Sequence, residues 1–534
     1  MIKFYNKQYL AAAFIFIGLA AVETTFNAAT YAYIFKVIEE KDTSLLVKYI
    51  ILVVLGYILF SIITYLKDFW TNKNIAFFNT SLKTELIRKI LEKETSLSKT
   101  EGVSSNTSFF MNDLKLLEEN YVKQLFNVVS YLVTLVVILT FSMSNSFLMT
   151  VIFLVFTSVT PLFTNIYKEK IEESNSYWTK ENKSFSSILK DILSGAETIA
   201  SYKSENYFIK KFYQKVKGLE ESTKDMNNAI SLSNALVIAL SYLFMYFPIG
   251  IGIYFTIQGR ISLASFVAVQ YSSSWIINNF LGLSQCINKL NSIGEIKKTI
   301  INTLEFKQPD DTNVLRNQKI DSVVFQNVSF NYEDKKIFEH LDLTLNSNDA
   351  VLLEGASGSG KSTFLKLLTK KLTPTNGEIF INGEDMKSIS KNELYNYVSL
   401  IPQTVAIFND TLRNNITLGK EVSEEKLSEA IKKAGLEELI QQVGLNYLIG
   451  EDGEGLSGGQ LKRVEIARAI LFDKPILLID EGNASLDKQN ALAINKTVAN
   501  LNKLVIDVEH YVPEESMKNY TRKYYLENRR VQPS

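Results

Sequence analysis

The sequence predicts a multi-domain protein: an all-α six-helix transmembrane domain, residues 1–303, followed by an α/β P-loop domain, residues 304–534. Three observations predict it. Long apolar runs are confined to the first half of the 534 residues. The second half alternates short β-branched strands with helix-forming stretches. One of those strands runs directly into the glycine-rich "GASGSGKST", Gly355 to Thr363, and then into a helical segment.

Composition narrows the possibilities. The length allows two or three domains. Lys+Arg and Asp+Glu both number 57, so no net field points to nucleic acid as a partner, and none is expected. The only cysteine, Cys286, excludes an intramolecular disulfide and a Cys-based zinc cluster. Two histidines, His340 and His510, are too few for a His-rich metal site. The N-terminal apolar run ends without a small-x-small pattern, so no cleavable signal peptide is expected.

A spanning helix needs about 20 mostly apolar residues to cross roughly 30 Å of hydrocarbon. Six segments qualify: about Tyr9–Phe35, Leu46–Leu66, Leu125–Met143, Phe147–Tyr167, Leu236–Ile257 and Leu263–Leu283. Several are full length and free of charge, which argues against buried helices of a soluble protein. The fifth contains Pro248, which membrane helices tolerate. The sixth is the most polar, with Gln270, Asn278 and Asn279 inside it.

The connections alternate between short loops and long Lys-rich stretches near 67–124 and 168–235. The positive-inside bias places those stretches and both termini in the cytoplasm. They also read as helical. Leu82, Leu86 and Ile90 recur at four-residue spacing on one helix face. The spans are expected to continue into the cytoplasm and turn at "LSKTEGVSSN" and "YWTKENKSFSS". Glu23, midway along the first span, is a candidate substrate contact, since a charge at that depth costs on the order of 3 kcal/mol unless it faces protein or water. A glutamate packed against another helix is the competing reading. Tyr31, Tyr33, Tyr242, Tyr246 and Tyr271 line an amphipathic cavity, face lipid or pack between helices, with packing preferred.

In the second half, "AVLLEG" followed by "GASGSGKST" fits strand, G-x-x-x-x-G-K-[ST], helix. The glycines let backbone N–H groups converge on phosphate oxygens, and the helix N-terminus adds its positive dipole end. Gly355, Ala356, Ser357, Gly358, Ser359, Gly360, Lys361, Ser362 and Thr363 are therefore candidate binding residues. Lys361 is expected to reach the β- and γ-phosphates, and the Ser362 hydroxyl is expected to reach Mg²⁺. "PILLID" is a second short strand ending on Asp480, a candidate Mg²⁺ ligand, and Glu481 follows where a base can polarise an attacking water. "LSGGQ", Leu456, Ser457, Gly458, Gly459 and Gln460, opens a further helix and forms a second anion site. One triphosphate does not require two such sites on one chain, whereas two chains facing head to tail do.

That pair of motifs resembles the ATP-binding-cassette (ABC) superfamily over the whole second half, which then reads as an α/β P-loop nucleotide-binding domain. The resemblance implies ATP and Mg²⁺ as cofactors. It implies that Tyr332 stacks on adenine and that Gln403 senses the metal and the attacking water. It also implies that Asp487, in "ASLD", lies in a loop crossing the dimer interface, and that His510 contacts the γ-phosphate. "GEDGEG" resembles the segment that touches the partner's membrane helices, and "LSGAETIASYKSENYFIKKF" resembles the exporter family. Two departures stand out: Gly482-Asn483 follows the catalytic glutamate, where an altered turn is expected, and Glu509 precedes the histidine.

Six spans and one cassette resemble an exporter-type half-transporter (type IV membrane fold). Its expected partners are the lipid bilayer, a transported substrate and a second half-transporter, a homodimer before a heterodimer. The expected place is a cell membrane, multi-pass, and specifically a bacterial plasma membrane. The expected function is ATP-driven export of a peptide, lipid or amphipathic small molecule. The alternative is import of a metal chelate by the same fold. A soluble cassette that remodels ribosomes or DNA conflicts with the spans, and an N-terminal cysteine peptidase is not expected.

Overall fold

Two helices of more than fifty residues organise the first half of the chain. In the computed structural model, which describes residues 2–40, 43–96, 107, 109–158, 168–306, 319–333, 335–481, 488–510, 512 and 514–533, α1 runs Lys7–Glu40 and α2 runs Thr43–Ser96. After π-helical turns at Phe109–Asp113 and Glu118–Val122 come α3, Lys123–Asn145, and α4, Phe147–Ser158. Then follow α5, Lys168–Ser194, α6, Glu205–Ile257, α7, Leu263–Ser292, and α8, Gly294–Glu305. The 54 residues of α2 extend about 80 Å at 1.5 Å per residue, well past the hydrocarbon layer. The chain divides into two compact units, Met1–Thr84 with Thr107–Ile300, and Glu85–Asn106 with Ile301–Ser534.

Among the described residues, four helical segments are long and apolar enough to cross a membrane: Lys7–Ile38, Leu45–Lys93, Phe109–Asn145 and Glu205–Ile257. The fourth expected span is represented by α4, apolar over Phe147–Phe156, and its remainder, 159–167, lies outside the described residues. The sixth forms α7, which is less apolar for a physical reason. It buries Phe266, Val269, Ile276 and also Ser272, Ser273 and Asn279 within the helical unit. Its polar groups bond back to its own carbonyls, Ser272 Oγ to Ala268 O at 2.7 Å and Asn279 Nδ2 to Trp275 O at 2.7 Å. A helix whose polar groups are satisfied inside a bundle need not be apolar all round.

One expectation is corrected. "YWTKENKSFSS" does not turn the chain but lies inside α5. It contains neither Gly nor Pro, and its polar residues suit an exposed helix. The reversal comes later, at Gly195, through a short helix Ala196–Ser201 and Lys203, whose φ of 50° is left-handed. The helices α5 and α6 then pack along each other. "LSKTEGVSSN" lies outside the described residues.

The second unit carries two sheets. Strands β1 (Ser322–Tyr332), β2 (Lys335–Asn346), β4 (Asn376–Ile381) and β5 (Glu384–Asp385) form an antiparallel sheet in the order β2-β1-β4-β5. A six-stranded sheet has the order β10-β9-β3-β8-β7-β6. Its members are β3 (Ala350–Glu354), β6 (Val398–Ile401), β7 (Ile476–Asp480), β8 (Leu504–Glu509), β9 (Arg522–Glu527) and β10 (Arg530–Pro533). From β9 to β6 the pairing is parallel, with Leu352 opposite Asp507 and Ile479 opposite Asp507 on the other side. Central parallel strands are covered on both faces, which is why β3 and β7 read as near-continuous apolar runs. Helix α9, Lys361–Leu368, buries Phe364, Leu365, Leu367 and Leu368, and Phe364 stacks on Phe325 of β1 with centroids 4.8 Å apart. Strands β3, β8, β7 and β6 all end at the same edge, so the residues just beyond them meet there.

Candidate nucleotide site

The loop after β3 is shaped by its glycines. Gly360 has φ of +115°, and a Cβ there would stand 2.6 Å from Ile337 Cγ2. At Gly355 a Cβ would stand 2.8 Å from the Leu526 carbonyl oxygen. Only glycine lets the backbone come this close and turn this way. Ala356, Ser357 and Gly358 are exposed at the tip, Thr363 is buried behind it, and the Ser359 hydroxyl is buried with no partner among the described residues.

Lys361 opens α9 and is 5% exposed. Its Nζ donates to the carbonyls of Gly355 at 2.6 Å and Ala356 at 3.0 Å, and lies 3.3 Å from His510 Nδ1. Burial pulls its ammonium below the ordinary lysine value, against the opposing charges of Glu481, Asp480 and Glu509. Ser362 Oγ donates to Asp480 Oδ1 at 3.2 Å. Burial pushes the Asp480 carboxyl up, and the Ser362 hydrogen bond opposes it.

Glu481, just past β7, is held from two sides. Gln403 Nε2 donates to Oε2 at 2.6 Å, and His510 Nε2 lies 2.9 Å from Oε1. A neutral imidazole protonated at Nε2 satisfies both contacts, donating to Glu481 and accepting from Lys361 at Nδ1. The Glu481 backbone is left-handed, φ 54°, while its N–H donates to Val508 O at 2.9 Å and continues the ladder with β8. Nothing in the sequence signalled that conformation at a non-glycine. The four strand ends thus bring Lys361, Asp480, Glu481, Gln403 and His510 into one connected cluster.

Helix α14, Gly458–Phe472, starts at a capping box. Gln460 N–H donates to Ser457 Oγ at 3.3 Å and Ser457 N–H to Gln460 Oε1 at 2.8 Å. The box consumes two N–H groups and leaves those of Gly458 and Gly459, at the first two helical positions, for an outside acceptor. Leu456 is half-buried beneath them. Tyr332 ends β1, 41% exposed, its ring edge-on to Phe330 at 4.9 Å. Gly482, Asn483 and Asp487 lie outside the described residues. In the other unit Glu23 is half-buried on α1, two turns before Tyr31, which stacks on Tyr271 with centroids 4.5 Å apart. Tyr33 likewise stacks on Tyr49 at 5.8 Å, while Tyr31, Tyr242 and Tyr246 are exposed.

The chemistry of the donor set is that of a hard-cation site. Ser362 and Asp480 offer hydroxyl and carboxylate oxygens side by side. Among the described residues no three His, Cys, Asp or Glu side chains gather to hold a metal alone. Magnesium does not need such a cage, since it keeps waters and takes phosphate oxygens. The residues present fit it.

Comparison with known proteins adds two family models. "ABC transporter transmembrane region" matches residues 10–280 and "ABC transporter" matches residues 338–484. A similar protein is an ATP-dependent lipid A-core flippase of Desulfotalea psychrophila, 27% identical over 353 residues, 64% of this chain and 61% of the relative. Another is a mitochondrial iron-sulfur clusters transporter ATM1 of Chaetomium globosum, 27% identical over 373 residues, 66% of this chain and 60% of the relative. The matches thus span about three fifths of these relatives. Among solved structures, a bacterial Atm1-family ABC exporter with ATP bound shares the fold, with a TM-score of 0.78 at 20% identity, over 98% of this chain and 94% of that one.

Proposed function

The chain belongs to the ABC transporters, whose membrane-region model alone covers half of it, and from that premise we propose that it is an ATP-driven exporter that works as a dimer by alternating access. The observation that carries the proposal is the cluster at the strand ends, where Glu481 is oriented by Gln403 and His510 beside the Lys361 loop. Residues 1–303 serve as the membrane domain and 304–534 as the cassette. The membrane is a bacterial plasma membrane, with both termini in the cytoplasm.

In this reading ATP seats its triphosphate on the loop 355–363 and its adenine against Tyr332. Mg²⁺, when bound, is held by Ser362 and Asp480 with Gln403 nearby, and it supplies charge neutralisation at the phosphates. Lys361 releases the Gly355 and Ala356 carbonyls to take phosphate oxygens. Glu481 accepts a proton from the attacking water, Gln403 fixes the direction of its carboxylate, and His510 contacts the terminal phosphate. The free N–H groups at Gly458 and Gly459 of a second copy close over that phosphate, with Ser457 and Asp487 at the same interface. Catalysis of this kind is mainly positioning and charge stabilisation. A homodimer is the simplest assembly because one chain carries every element. The cargo is a peptide, lipid or amphipathic molecule, in keeping with relatives named a flippase and an exporter.

The test is direct. In lipid, the Glu481→Gln chain should bind ATP yet hydrolyse it at least about 100-fold more slowly, the usual weight of a general base. An unchanged rate refutes the role of Glu481. Export appears in inside-out vesicles as ATP-dependent uptake, and ATP-dependent loss of cargo from them would show import instead.

A further inference from the structure

Directly behind the cluster lies a buried polar group that the hydrolytic scheme leaves unused. Lys462, on the second turn of α14, is 2% exposed. Its Nζ donates to the Pro402 carbonyl at 2.8 Å. Pro402 precedes Gln403, whose amide holds Glu481. Asp507, in the middle of β8, is also 2% exposed and accepts from the Tyr520 hydroxyl. Its Oδ1 has no partner among the described residues, and neither has Nδ2 of Asn495 on α15, Lys488–Ala499. Lys462, Asp507 and Asn495 line one cavity of about 10 Å³, which Ile401, Ile466, Ile479 and Val498 close.

That volume is at the lower limit of what admits one water, and a buried water takes about three polar partners. Here an acceptor on Asp507 and donors on Asn495 and Lys462 supply them. Buried ions add little net stability, and apolar side chains of equal volume hold a core as well. What Lys462 provides and an apolar residue cannot is the bond to Pro402.

We propose that Lys462 is a positioning residue for hydrolysis. With Asp507 and Asn495 it encloses one ordered water, and through the Pro402 carbonyl it fixes the backbone that presents Gln403 to Glu481. The helix that starts at the Ser457 box is thereby tied to the glutamate's orienting residue. This role rests on the hydrolytic reading of Glu481. Burial draws the Lys462 ammonium down, while Glu509, Asp507, Glu465 and Asp480 hold it up.

The experiment compares three full-length chains in lipid: wild type, Lys462→Met, and the double variant Lys462→Met/Asp507→Asn. The single variant should lower kcat for ATP by roughly 10- to 100-fold with little change in KM, the scale of a displaced catalytic group. It should also melt lower, because it strands the Asp507 carboxylate. The double variant removes that stranded charge, keeps an acceptor for the Tyr520 hydroxyl, and should regain its melting temperature while kcat stays low. Recovery of kcat together with stability overturns the proposal, since Lys462 then only fills the core. An unchanged kcat in Lys462→Met overturns it too. A wild-type chain that does not hydrolyse ATP defeats the hydrolytic reading first and this role with it, so the two failures are distinguishable.

Discussion

At the scale of single residues, Asp507 carries the clearest pH signature. Burial raises its carboxyl from an ordinary 3.8 to about 6, the Tyr520 hydroxyl and Lys462 opposing. A raised carboxyl means that the folded state binds more protons than the unfolded one between those values. Stability therefore falls as pH rises from about 4 to about 6, and the loss is complete above that range. Glu465 and Asp480, also raised by burial, slope the same way. Asn at 507 still accepts from Tyr520 but does not titrate. The unfolding temperature of Asp507→Asn, followed from pH 4 to 7, should decline less than that of wild type, and equal slopes would show that Asp507 is not protonated in the fold. The residue scale is also where the sequence was least legible. Asp480 and Glu481 stand out as two acids at a strand end, but the left-handed φ of Glu481 depends on a ladder bond to Val508 from a distant strand. Lys462 falls four residues before Ile466, on the buried face of its helix. That spacing was readable, but what it bonds to was not.

At the scale of elements, the loop before α9 was legible because glycine spacing states a backbone requirement directly. Ala at 360 would need φ near +115° and would press on Ile337. Forced backbone of that kind costs about 1–3 kcal/mol. Gly360→Ala should lower cassette stability by that amount and weaken ATP binding, which calorimetry and nucleotide titration both read. Full stability with full affinity would mean that the loop relaxes easily. The long helices were legible by apolarity only where they face lipid. In α7 the apolar pattern fades because Ser272, Ser273 and Asn279 are satisfied inside the bundle. The turn between α5 and α6 was misplaced because polar composition alone was read as a break. The break needed Gly195 and a left-handed Lys203, and 177–187 holds no glycine and no left-handed residue.

At the scale of the whole molecule, the strongest consequence of the proposed dimer is that each hydrolytic site is shared. Lys361 would come from one copy, and Gly459 from the other. Asp at 459 sits at the second helical position, where a carboxylate favours the helix dipole, so folding should survive. The same charge would repel a phosphate arriving at that N-terminus. Lys361→Ala and Gly459→Asp are each expected to be inactive as homodimers. In a mixed dimer one site carries both lesions, and the other carries neither. Random pairing of equal amounts makes about half of all dimers mixed. If the sites fire independently, the mixture should recover about a quarter of wild-type ATPase activity, from two inactive proteins. If instead both motifs served the same chain's nucleotide, every mixed dimer would have two damaged sites and the mixture would stay inactive. Coexpression with two different affinity tags isolates the mixed species, and its rate decides between a site that closes across two copies and one that does not.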